Sequence, residues 1–184
     1  LQIELVERAM KGDHDAFATL VRSEIGSLHG LAGLVLRDGG RAEDAVQEAL
    51  LNAWRDLPRL RDPERFRAWL RRLLINASHD EGRRLGRRRG EVTFETTHEP
   101  RAPDPFEAML QREELGRAFA RLTTEQRTVL SLRYYLDLSS TDGAAAMGMR
   151  ESTYRSKIHR ALRAMDAALA DVARGTSQTE GHST

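Results

Sequence analysis

Apolar residues recur along this chain at three- and four-residue steps rather than at alternate positions, so helices are expected nearly throughout and strands almost nowhere. The fold class this predicts is all-α. A first helix is expected from about Glu4 to Lys11 and a second from about His14 to Leu36, with Phe17, Leu20, Val21, Leu28, Leu31 and Leu34 on the buried side. Asp38-Gly39-Gly40-Arg41 interrupts the pattern. Ala45, Val46, Ala49, Leu50, Ala53, Trp54 and Leu57 then form an amphipathic stripe. A loop rich in Pro and Arg, Pro58 to Glu64, leads into a third long helix carrying Phe66, Trp69, Leu70, Leu73, Leu74 and Ala77. Together these helices can close one core, and the spacing of Phe66, Trp69 and Trp54 places all three in the packing stripes rather than on a stacking platform.

From Arg83 to Arg89 the chain is nearly all arginine and glycine, and Gly90 to Pro105 holds three prolines and little apolar surface. Such a stretch buries too little to offset its ordering entropy and reads as a flexible linker. Helical spacing resumes near Phe106 with Met109, Leu110, Leu115, Ala118, Phe119 and Leu122, and Thr123 with Gln126 offers a capped start for another helix. The expected organisation is a helical domain over residues 1–86, a linker over 87–106, a second helical domain over 107–174 and a disordered polar tail over 175–184.

The most specific local signal lies from Leu138 to Met165. Ser139 or Ser140 can cap a short helix through Met147, Gly148 can turn the chain at positive φ, and a second helix opens around Glu151. In it Tyr154, Ile158, Ala161, Leu162 and Met165 make a packing face, leaving Arg150, Ser152, Arg155, Ser156, His159, Arg160 and Arg163 mostly on the other. That division is what a helix-turn-helix needs: an apolar stripe fixes its angle while donors on the free face meet base edges.

Charge sharpens this picture. The whole chain is nearly neutral, with 29 Lys plus Arg against 28 Asp plus Glu, but basic and acidic blocks alternate. Residues 1–57 carry 6 basic and 10 acidic side chains, 58–90 carry 11 and 4, 91–126 carry 4 and 8, and 127–174 carry 8 and 5. A protein gripping duplex DNA through one patch needs one basic region, so the 58–90 block calls for its own polymer. The absence of cysteine excludes disulfides, thiolate metal sites and cysteine nucleophiles. Six scattered histidines show no metal-ligand spacing, and no Gly-rich phosphate loop or nucleophile–base motif suggests an enzyme, so no catalytic residue, metal or cofactor is expected. No stretch reads as a membrane span or signal peptide, so a soluble cytoplasmic protein without membrane insertion is expected.

Several runs resemble the extracytoplasmic-function sigma factors of the sigma-70 family. Ala42-Glu43-Asp44-Ala45-Val46-Gln47-Glu48-Ala49-Leu50-Leu51-Asn52-Ala53-Trp54 is similar to the family's most recognisable run. Phe66-x-x-Trp69-Leu70 with Asn76, Asp80 and Arg83 resembles the helix that follows it. Leu138-Ser139 and Met147-Gly148-Met149-x-Glu151-x-Thr153-x-x-Ser156-Lys157-Ile158-His159-Arg160-Ala161 resembles the family's DNA-reading segment. The likeness covers most of residues 4–170. It departs at Gly143, where the family usually has a bulky aliphatic, and at Tyr154, where it has a small one; Tyr154 filling the space left by Gly143 is the expected compensation.

The resemblance implies a division of labour. Glu43, Asp44, Gln47 and Glu48 would dock the β′ clamp coiled coil of core RNA polymerase, with the β flap as a further polymerase contact. Arg59, Arg61, Arg65, Arg67, Arg71, Arg72, Asn76, His79, Arg83 and Arg84 would recognise the −10 element and hold its opened strand, the loop at Leu57–Glu64 capturing a flipped base. Arg150, Ser152, Thr153, Arg155, Ser156, Lys157, His159 and Arg160 would read the −35 element as duplex. An anti-sigma factor is left open as a further partner. The rival reading is a dimeric helix-turn-helix transcriptional regulator, which explains Leu138–Met165 but gives no role to the acidic helix or the upstream arginines.

Overall fold

The computed structural model describes residues 2–88 and 113–180, with side chains over 2–84 and 114–174. Every regular element among them is helical: α1 Gln2–Met10, α2 His14–Leu36, α3 Gly39–Asp56, α4 Phe66–Arg88, α5 Glu113–Ala120, α6 Thr124–Leu130, α7 Ser140–Met147 and α8 Glu151–Glu180. Short 3-10 turns at Leu57–Arg59 and Pro63–Arg65 join α3 to α4, and a π turn at Ser131–Tyr135 follows α6. None of the described helices is long and apolar enough to cross a membrane.

The helix starts are set by side-chain caps. Asp13 accepts from the Ala16 amide at the start of α2, and Asp38 from the Arg41 amide at the start of α3, so the Asp-Gly-Gly break opens a helix as much as it ends one. The Ala16 amide and the Arg8 guanidinium hold the Asp13 carboxyl below the usual carboxylate range. Thr123 and Gln126 complete a reciprocal capping box at α6. The end of α4 and of α8 lies further along than the sequence pattern suggests: α4 reaches Arg88, so residues 87 and 88 of the expected linker are helical, and α8 continues past Arg174 to Glu180. Once a helix is nucleated each further residue adds a hydrogen bond, which lets polar ends continue it. Residues 89–106 of the expected linker, and Phe106, Met109 and Leu110, lie outside the described residues.

Val6, Leu20, Leu28, Leu31, Ala45, Val46, Ala49, Ala53, Leu57, Phe66, Leu70 and Leu74 are buried together between α1 and α4. Phe17 and Val21 are only half-buried, and Trp54 packs on the rings of His14 and Phe17. The two expected helical regions share apolar contacts. Val129, Leu132, Ala144, Ala146 and Tyr154 join the first core, and Leu34 of α2 sits in the second with Phe119, Leu122, Leu130, Ala161 and Met165. The reason is in α2, whose last turns, Leu31-Ala32-Gly33-Leu34-Val35-Leu36, are apolar on every side and so must be covered from more than one direction.

Tyr154 is fully buried, and its ring lies where a side chain at Gly143 would begin: a Cβ there would stand 2.3 Å from Tyr154 Cζ. Burial pushes the phenol up to about 12, and its hydroxyl donates to the Val129 carbonyl at 3.4 Å. Gly143→Ala is expected to cost about 1–3 kcal/mol by overpacking, and Tyr154→Val a comparable amount through the void it leaves. The double variant should be more stable than the sum of these losses, by about 0.5–3 kcal/mol in a thermal or urea cycle. Strict additivity would show that the two positions do not compensate.

Candidate nucleic-acid and polymerase interfaces

Three surfaces carry the candidate residues. The first is the outer face of α3, where Glu43, Asp44 and Gln47 are exposed and, among the described residues, make no side-chain hydrogen bond or ion pair. Glu48 is half-buried, with Arg84 of α4 at 4.0 Å. One residue that the sequence reading passed over belongs here. Leu51 is 71% exposed, and positions 44, 47, 48 and 51 fall on one helix face, so an apolar point stands at the edge of an acidic patch. An exposed leucine amid the stripe Leu50-Leu51 was the available signal.

The second surface runs along α4 and the turns before it. Arg59, Arg61, Arg65, Arg67, Arg72, Asn76, Arg83 and Arg84 are exposed, and the span from Arg65 to Arg83 is about 27 Å at 1.5 Å per residue. Many of these cations already have a carboxylate. Arg59 lies 3.7 Å from Asp56, Arg65 3.1 Å from Asp62, and Arg83 and Arg84 pair with Asp80 and Glu81. Such exposed pairs are worth little and exchange readily for a phosphate. Arg67 and Arg71 are held differently, by Glu24 of α2 at 2.6 and 3.8 Å. Glu24 is 5% exposed and Arg71 half-buried, so these two arginines brace α4 on α2 as well as facing outward. An acid in the stripe Leu20, Glu24, Leu28 was the sequence signal for that brace.

His79 also points inward rather than to solvent. Its Nε2 lies 3.0 Å from the hydroxyl of Thr128, which itself donates to the Thr124 carbonyl, so Nε2 carries the hydrogen. Burial keeps the imidazole below its ordinary pKa and therefore neutral near pH 7. Phe66 is buried and Trp69 half-buried, as their spacing predicts.

The third surface is the helix-turn-helix. Ser139 caps α7 by accepting from the Asp142 amide, Gly148 turns at φ +63°, and Thr141 is linked to Glu151 of α8 at 2.9 Å. Tyr154, Ala161 and Met165 face inward, while Arg150, Ser152, Thr153, Arg155, Ser156, His159 and Arg160 are exposed. Glu151 holds Arg155 at 2.6 Å, one turn back along the helix. Lys157 departs from the set: it is half-buried and paired with Glu125 of α6 at 2.6 Å, which ties α8 to α6. That spacing of 32 residues could not be read from helical periodicity.

An exposed polar helix set behind a glycine turn is the build of a DNA-binding helix-turn-helix protein. Models of known families divide the chain in two: sigma-70 region 2 matches residues 20–88 and sigma-70 region 4 matches residues 112–165. The RNA polymerase sigma-H factor of Pseudomonas aeruginosa is 34% identical over 90% of this chain and 92% of its own. The ECF RNA polymerase sigma factor SigL of Mycobacterium tuberculosis is 37% identical over 73% and 78%. Among solved structures, CnrH in complex with the cytosolic domain of CnrY superposes with a TM-score of 0.67 at 26% identity, over 92% of this chain and 97% of that one. The chain belongs to the extracytoplasmic-function sigma factors of the sigma-70 family, which are non-enzymatic factors for transcription initiation.

Proposed function

We propose that the chain joins core RNA polymerase through α3, binds the opened −10 strand along α4 and its preceding turns, and reads the −35 element as duplex through α8. The observation that carries this reading is the separation of the three surfaces by charge and exposure: an acidic face on α3, arginines along α4, and a polar face on α8 behind the Gly148 turn. Residues 1–86 and 107–174 are the two working halves, acting in the cytoplasm. On the docking face, Glu43, Asp44, Gln47 and Glu48 steer and orient a basic partner such as the β′ clamp, and Leu51 at the edge of that patch supplies an apolar contact. In this reading the second half meets the β flap.

Promoter opening follows from preferential binding. Flipping a base costs a few kcal/mol, and a surface that holds the open strand better than the duplex shifts that equilibrium without nucleotide hydrolysis. Among the described residues Arg61 and Arg72 have no carboxylate within ion-pair distance to displace, Asn76 adds a neutral polar group, the singly paired Arg59, Arg65 and Arg83 can follow, and Arg84 must leave both Glu48 and Glu81. In this reading Arg155 of α8, exposed and paired with Glu151, makes a bidentate contact to guanine. A partner protein that sequesters the factor, of the anti-sigma kind, is the natural counterpart of the complex that CnrH forms.

Arg155→Ala is expected to weaken holoenzyme binding by about 1–3 kcal/mol and to relax preference at one base pair of the −35 element. Binding titrations against a panel of single-base promoter variants measure both. An equal loss on every sequence would make Arg155 a phosphate contact instead.

A further inference from the structure

We infer that Thr141 and Glu151 are positioning residues for the guanidinium of Arg155, and that a hydroxyl on the first helix of the helix-turn-helix thereby sets part of the promoter preference expressed by the second. This rests on the reading of Arg155 as the guanine contact of α8. The positioning itself stands on contacts within the motif.

Three side chains from two helices are joined in series. Thr141, in the first turn of α7, donates from Oγ1 to Glu151 Oε2 at 2.9 Å, and Glu151 Oε1 accepts from Arg155 Nη2 at 2.6 Å. A lone ion pair one turn apart on a helix surface fixes neither partner, because the carboxylate rotates about its last bond and the pair is worth little. In this chain each carboxylate oxygen has its own donor, so α7 sets the plane of the carboxylate and the carboxylate sets the guanidinium. The frame beneath is well fixed. Ser139 caps α7 at the Asp142 amide, the Gly148 amide closes that helix onto the Ala144 and Ala145 carbonyls, and the Tyr154 ring of α8 fills the space at Gly143 of α7.

Neighbouring polar groups of α8 are held in other ways. Ser156 Oγ donates to the Ser152 carbonyl at 3.0 Å and Arg160 Nε to the Ser156 carbonyl at 3.3 Å, so both fold back on their own helix, while Lys157 is tied to Glu125 of α6. Arg155 takes its direction from α7 instead. Glu151 draws it toward the N-terminal end of α8, and the N-terminal residues of a recognition helix are the ones that reach base edges in the major groove. The carboxylate engages Nη2 and leaves the other donors of the planar guanidinium for guanine O6 and N7. An arginine held in one direction before it binds gives up less side-chain freedom on the base than a free one, and that advantage is lost when either link is cut. A base that cannot accept the fork gains nothing from it, so the effect falls on preference rather than on affinity in general.

The test uses the full chain bound to core polymerase, on a panel of promoters differing at single base pairs of the −35 element, with Arg155→Ala marking the pair that Arg155 reads. Thr141→Val removes the hydroxyl at almost unchanged shape and charge. Glu151→Gln keeps an acceptor for Thr141 but loses the charge that holds Arg155. Each should lower the preference for guanine at the marked pair by about fivefold, with preference at the other pairs unchanged and Thr141→Ser retaining the full ratio. That ratio is insensitive to the uniform gain in affinity expected when an anionic side chain is removed near phosphates. In the free chain, NMR relaxation should show restricted motion of the Arg155 Nε–H group in the unchanged protein and in Thr141→Ser, and wider motion in Thr141→Val and Glu151→Gln. Unchanged guanine preference in both of the latter overturns the positioning role, as does an equal loss in Thr141→Ser and Thr141→Val, or a uniform loss on all promoters with a lower melting temperature. If Arg155→Ala itself shifts no preference, the assignment of Arg155 to a base fails separately, and the relaxation measurement still decides whether Thr141 and Glu151 hold it.

Discussion

Replacing Asp44 with arginine is expected to abolish binding to core RNA polymerase, and promoter-specific initiation with it, while leaving helix content and thermal stability unchanged. Asp44 is exposed on α3 and no side chain of the described residues depends on it. The substitution turns the centre of the Glu43, Asp44, Gln47 and Glu48 patch from attractive to repulsive for a basic partner, and like charges brought together at an interface cost several kcal/mol. Since helix surfaces away from packing tolerate substitution within about 0.5 kcal/mol, the two effects separate cleanly. Pull-down with core polymerase checks the first and a circular-dichroism melt the second. Leu51→Ser should weaken the same binding without the charge effect, giving a partial loss that added salt does not relieve. Retained core binding by Asp44→Arg would remove α3 from the docking assignment.

The second large effect is on stability. Glu24→Ala removes the buried carboxylate that holds Arg67 and Arg71, and leaves Arg71 charged and without its counterion between α2 and α4. Removing one partner of a buried pair costs about 3–5 kcal/mol, and the exposure of Arg67 places this case near the lower figure. For a chain of this length, about 3 kcal/mol corresponds to a melting temperature lower by roughly 6–12 °C. Glu24→Leu, which fills the volume but not the charge, should be no better. A loss under about 1 kcal/mol in either variant would show that the arginines find solvent instead, and that Glu24 braces nothing.

What the sequence makes legible, and what it does not, divides by the range of the interaction. Caps at Ser139 and Thr123, the turn at Gly148 and the α3 stripe are local: each follows from residues within one or two turns, and each stands where the spacing placed it. The packing roles of Phe66 and of Tyr154 against Gly143 were legible for the same reason, because a volume missing at one position asks for a volume at another on the facing helix. Periodicity reports which face of a helix is covered, not what covers it. That is why Leu34 could be predicted as buried while its partners, from residues 118 to 172, could not. The same limit applies to Lys157, whose exposed register on α8 gives no sign of Glu125, and to His79, whose turn toward Thr128 depends on the two halves meeting.

The measurement that bears most directly on the whole account is transcription by sigma-free bacterial core polymerase supplied with this chain and a library of random promoter sequences. The account predicts initiation at defined start sites, dependent on the chain, with two enriched sequence blocks upstream, and no specific retention of those sequences by the chain alone. Tight binding to an operator by the chain in the absence of polymerase, with no start sites conferred on the core enzyme, would contradict it.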